Sequence, residues 1–166
     1  MLSANPPLPV QFGNYTTKAA EALQAAIQTA GALGHQGLLP LHLLLALSEQ
    51  AGGIVPTVLR GIGRDPAAVA EAARAALSAL PRVAGGGQPY AAPELKTVLD
   101  QAESEAGKLR DEYVSTEHLL LALLQNKEAG AILGVTPDAV LAQLASVRGG
   151  QRVTDPEPEG KYQALE

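Results

Sequence analysis

Cysteine is absent from all 166 residues of the chain. That excludes a disulfide scaffold, a thiolate metal site and a thiol nucleophile, and it is compatible with a reducing compartment. Aromatic residues are scarce at 3%, whereas apolar residues make up 46%. A core must therefore be built from Leu, Ala, Val and Ile. Leu and Ala are strong helix formers, so the composition points to closely packed helices rather than a sheet. An excess of positive charge is also missing. The net charge is −5, the wrong sign for a nucleic-acid footprint, so no nucleic-acid partner is expected. No apolar run approaches the roughly 20 residues that span a bilayer. The first seven residues have neither the basic start nor the apolar stretch of a signal peptide. The expectation is a cytoplasmic protein with no membrane partner.

The motifs of nucleotide and hydrolytic chemistry are missing as well. A phosphate loop needs G-x-x-x-x-G-K-[ST], but Gly107-Lys108 is followed by Leu109 and Gly160-Lys161 by Tyr162. Gly85-Gly86-Gly87 lacks both the lysine and a preceding strand, and reads as a connection. Neither G-x-S-x-G nor H-E-x-x-H occurs. The histidines are His35, His42 and His118, and a metal site would need three or four converging ligands. The chain is therefore expected to perform no chemistry and to hold no metal.

What is present is a repeat. His42-Leu43-Leu44-Leu45-Ala46-Leu47 recurs letter for letter as His118-Leu119-Leu120-Leu121-Ala122-Leu123, an offset of 76 residues. Such self-similarity marks one structural unit built twice. Thr16 offers an N-cap for a long Ala-rich helix to about residue 33, Pro40 opens the Leu-rich helix, a short helix covers 54–60, and Asp65-Pro66 opens a helix to about 80. After a Gly/Pro-rich connection at 81–92 the order returns. Pro93 opens a long helix to about 110, Ser115 caps the second Leu-rich helix, 129–133 is short, and Thr136-Pro137 opens a helix to about 147. The prediction is all-α: about eight helices in two four-helix repeats, packed face to face about a pseudo-two-fold axis with the Leu-rich helices near the centre. Residues 1–13 read as a flexible arm, 14–150 as the domain (repeat one 14–80, repeat two 92–148), and 151–166 as a linker toward a further domain, with the abrupt end suggesting a fragment.

Both repeat histidines fall in the first turn of a helix, where a ring bonds the exposed backbone or packs beneath it. The acidic residues gather on and after the second long helix: Glu94, Asp100, Glu103, Glu105, Asp111 and Glu112. A solvated face explains most of them. Asp111 is the exception, since a carboxylate at a helix C-terminus is electrostatically disfavoured.

Tyr15-Thr16-Thr17-Lys18-Ala19, Pro40-Leu41-His42-Leu43-Leu44, Ser115-Thr116-Glu117-His118-Leu119-Leu120 and the closing Arg148-Gly149-Gly150 together resemble the double Clp repeat N-terminal domain of Clp/Hsp100 AAA+ chaperones. The tail from Val153 to Glu166 looks like that of the ClpB-type disaggregase branch. The resemblance implies a substrate-recruiting domain that binds exposed apolar segments of unfolded or aggregated polypeptides. The parent would be a homohexameric ATPase that uses ATP and Mg and cooperates with the DnaK system, while the domain itself carries no cofactor. The alternative is an adaptor-docking domain of a ClpA/ClpC-type unfoldase serving a protease. Thr16, Asp111 and Glu117 match the polar positions that matter for substrate handling in such domains. Leu95, Leu99 and Tyr113 are the candidates for an accompanying apolar groove.

Overall fold

The computed structural model describes residues 14–83, 89–149, 153–154 and 156–158. The arm at 1–13, the triple glycine at 85–87 and most of the tail lie outside the described residues. Eight helices form among those described: α1 (Thr17–Ala32), α2 (Pro40–Glu49), α3 (Ile54–Ile62), α4 (Pro66–Ser78), α5 (Pro93–Lys108), α6 (Thr116–Leu123), α7 (Lys127–Leu133) and α8 (Pro137–Arg148).

Local chemistry sets their ends. The Thr16, Asp65 and Thr136 side chains each accept a first-turn N–H, from Ala19, Ala67 and Ala139, satisfying donors that have no partner inside the helix. Pro stands at the start of α2, α4, α5 and α8, where its missing N–H costs nothing. Several ends depart from the sequence reading by about two residues, α4 stopping at Ser78 and α5 at Lys108, and two of the departures have a clear local cause. Helix α3 passes through Gly61 and stops at Gly63, which takes the left-handed conformation (φ 93°). Helix α7 begins two residues early because the Asn126 side chain caps the Ala129 N–H at 2.9 Å.

The 76-residue offset reappears in the hydrogen bonds. β1 (Gly37–Leu38) and β2 (Tyr90–Ala91) form a two-residue parallel pair, and Tyr15 bridges Val114 in the same sense. Tyr15 and Ala91 are 76 apart, as are Leu38 and Val114. The Ala92 N–H meets the Leu38 carbonyl at 3.1 Å, and its counterpart, the Thr16 N–H, meets Val114 at 2.9 Å. Each long helix is thus tied at its start to the other repeat.

Helix packing obeys the same symmetry. Contacts between the repeats come in matched pairs: α1 on α6 with α5 on α2, α3 on α8 with α7 on α4, and α3 on α6 with α7 on α2. Helices α2 and α6 meet at the axis. Their leucines Leu43, Leu44, Leu45 and Leu47, and Leu119, Leu120, Leu121 and Leu123, are buried. Burying such side chains stabilises by roughly 1.5–3 kcal/mol each. Arg64 of repeat one staples the seam, donating to the Leu133 and Ile132 carbonyls at the end of α7, a favourable place for a cation.

Candidate functional site

At two pseudo-equivalent corners, the turn after a long helix meets the start of the other repeat's long helix. In the first corner the His118 Nδ1 accepts the Ser115 N–H at 2.8 Å. That assigns the ring proton to Nε2, which is donated to Asp111 Oδ2 at 2.7 Å. Asp111 Oδ1 accepts from Arg148 Nη2 at 2.6 Å and from the Val153 N–H at 2.8 Å. Arg148 Nη1 also lies 3.7 Å from Glu117 Oε2. The Asp111 and Glu117 side chains are fully buried and that of Arg148 nearly so. Burial alone would push the Asp111 pKa up. The hydrogen bonds from His118, Arg148 and the Val153 N–H outweigh it and hold the carboxyl below its ordinary value.

The second corner is built from different residues. Thr16, Arg110, Asp111 and Glu117 correspond, 76 positions earlier or later, to Ala92, Gly34, His35 and Leu41. His42 Nδ1 again accepts a backbone N–H, from Leu39 at 2.9 Å. Its Nε2–H then points at His35 Nδ1, 2.9 Å away, so a neutral histidine stands where the first corner has a carboxylate. Burial, and then the neighbouring His35, lower the His42 pKa to about 4. Burial, and then the Arg82 charge, lower that of His35, against a hydrogen bond to the Leu77 backbone. Among the described residues no group of three or more His, Asp and Glu is placed to hold a metal ion.

The six residues proposed from sequence do not form one exposed patch. Thr16, Asp111 and Glu117 do share the first corner, but all three side chains are enclosed, Thr16 being fully buried as a cap. Leu95 and Leu99 face the core and present no groove. Tyr113 is half-buried and packs against the core edge. The electrostatic conflict at Asp111 is resolved inside the protein by Arg148 and His118. Concave surfaces among the described residues lie elsewhere: an open groove of about 500 Å³ along α1, lined by Tyr15, Thr17, Ala20, Glu21, Gln24, Ala25 and Gln28, and a smaller, charged one of about 330 Å³ lined by residues that include Glu49, Arg60, Asp65, Glu71 and Arg74. In the α1 groove the lining is less charged. One charge interrupts a lining otherwise made of small, amide and aromatic side chains. Part of the segment read as linker is docked: Val153 is fully buried, and Pro156 accepts the Thr17 N–H at 2.8 Å.

Two four-helix repeats with swapped neighbours and one polar corner describe a known domain type. Residues 14–150 match the Clp repeat (R) N-terminal domain. The chain belongs to this family. Chaperone protein ClpB of Corynebacterium efficiens is 41% identical over 159 residues, covering 92% of this chain. That of Mycobacterium tuberculosis is 40% identical over 158 residues. The chain spans 19% of the length of these curated relatives. The crystal structure of the Hsp104 N-terminal domain from Candida albicans shares the fold, with TM-score 0.76, 23% identity, and coverage of 88% of this chain and 99% of that one.

In this Clp N-domain the residues that sequence reasoning missed are Arg148, Val153 and His35. Arg148 was visible only as the first residue of the closing motif, although a basic residue in a last helical turn is a usual dipole partner. His35 was legible in principle, since applying the 76-residue offset to Asp111 lands on it. Val153 carried no signal, because a lone valine in a Pro/Gly-rich tail has no periodicity to report it.

Proposed function

We propose that this domain recruits substrate for a ClpB-type, ATP-driven disaggregase by binding exposed apolar segments of unfolded or aggregated polypeptides. The parent then supplies the ATP and Mg chemistry, a homohexameric ring and cooperation with DnaK in the cytoplasm. The relationship to ClpB chaperones over 92% of the chain carries the reading. It is supported by the sparsely charged groove on α1 beside the polar corner, the arrangement that suits sequence-tolerant binding of an apolar segment with a polar rim.

Within that reading the six residues act in three ways. Thr16, Asp111 and Glu117 fix the corner where α1 begins, and Leu95 and Leu99 hold α5 beneath it. Tyr113 offers the half-exposed apolar edge. The test is titration of the isotope-labelled chain with reduced, carboxymethylated α-lactalbumin, a permanently unfolded protein, followed by amide shifts. Shifts should cluster on α1, around Asp111 and Glu117, and at Tyr113. Shifts confined to the face carrying α4 and α7, or none at saturating probe, overturn it.

A further inference from the structure

Val153 and Pro156 sit at the polar corner much as a bound peptide would. The Val153 N–H is accepted by Asp111, its carbonyl accepts the Glu112 N–H at 2.7 Å, and its side chain is fully enclosed. The Pro156 carbonyl takes the Thr17 N–H, one of the α1 donors that lacks an intrahelical partner. Recognition through main-chain groups plus one small apolar seat demands little of sequence.

The repeat itself does not require this seat. In repeat one the returning segment also bonds the turn, Val83 N–H to the Gly34 carbonyl at 2.7 Å, yet Val83 stays 44% exposed. No carboxylate waits there, because His35 occupies the place of Asp111. The first corner also has unused capacity. Both Glu117 carboxylate oxygens are buried and accept no hydrogen bond, a state that is costly and rare in folded proteins. Thr17 lines the α1 groove as well, so the strap's bond to Thr17 lies at the edge of that concave surface.

We propose that the strap of Val153 and Pro156 fills a docking seat for an extended, apolar polypeptide segment, and that such a segment displaces it. Substrate capture then frees the chain leaving the domain. The proposal rests on the polypeptide-binding reading above. The Glu112 and Thr17 N–H groups would be bonded by the incoming segment, and only the Val153 N–H would lose its partner.

Amide hydrogen exchange on the 166-residue chain, with and without saturating carboxymethylated α-lactalbumin, reads this directly. The Val153 amide should exchange at least about tenfold faster with probe, a shift in local opening, while Glu112 and Thr17 stay protected. In a parallel titration Val153→Gly, which weakens the strap, should bind the probe about fivefold more tightly, because less of the seat is occupied beforehand. Binding that leaves Val153 protected places the probe elsewhere and overturns displacement alone. Acceleration of all three amides means melting of the corner and overturns it too, as does unchanged or weaker binding by Val153→Gly. No binding by either chain overturns the functional reading and the displacement with it.

Discussion

Asp111→Asn preserves shape and removes one charge, and its consequence follows from the geometry. Asp111 accepts three hydrogen bonds, two from side chains and one from the Val153 backbone, with its own side chain fully buried. The substitution takes the closest carboxylate charge away from the Arg148 guanidinium, 7% exposed, with Glu117 staying at 3.7 Å. It also turns an amide N–H₂ toward at least one donor. Removing one member of a buried pair costs roughly 3–5 kcal/mol, mostly from the charge left behind. The remaining Glu117 contact puts the expectation near the lower end, about 3 kcal/mol. Against a total stability of roughly 5–15 kcal/mol that is severe, with a fall in Tm of roughly 10 °C. Urea denaturation followed by far-ultraviolet circular dichroism measures it. The sign of the pH dependence is fixed. A carboxyl held below its ordinary 3.8 stabilises fully above that value and loses its effect as pH falls through the folded-state pKa. The gap between wild type and variant should therefore be full at pH 7 and shrink toward pH 2.5. Adding Arg148→Met should recover at least about 1 kcal/mol by removing the buried cation that lost its closest carboxylate. A loss under about 1 kcal/mol at pH 7, or an equal loss at pH 2.5, would refute the account of the corner.

Other outcomes follow from the same structure. His42, with a pKa lowered from 6.5 to about 4, binds protons more readily when unfolded, so its contribution is intact above pH 6.5 and is lost as pH falls. Urea midpoints should show about 3 kcal/mol draining away between pH 6.5 and 4, and His42→Gln should flatten that slope. Leu44→Ala and Leu120→Ala, both fully buried at the axis, should each cost roughly 2–5 kcal/mol by thermal denaturation; an unchanged Tm in both would remove the two helices from the core. Arg110 adopts φ 60° where its repeat partner Gly34 adopts 74°. Arg110→Gly should therefore raise stability by up to about 1 kcal/mol, the left-handed penalty less the entropy of glycine, and a lower Tm would show that the arginine side chain holds something the turn needs.

The sequence alone determined the helices, their order and their duplication. Caps at Thr16, Asp65 and Thr136, prolines at first helical positions and the identical hexapeptides act over a few residues, and such local rules survive without tertiary context. The same rules named the first-turn role of both histidines. Only the tertiary structure decided what the polar positions do. Asp111, Glu117 and Thr16 meet at one corner, but Asp111 is held there by Arg148, 37 positions beyond it, and by the backbone of Val153. Pairings at that distance leave no periodic trace in a chain. Likewise the spacing of Leu95 and Leu99 marks one face of a helix, yet periodicity reports that a face is apolar, not whether a core or a ligand covers it. Packing assigned that face to the core, and left a sparsely charged concave surface on α1, where alanines and glutamines give the sequence little to announce.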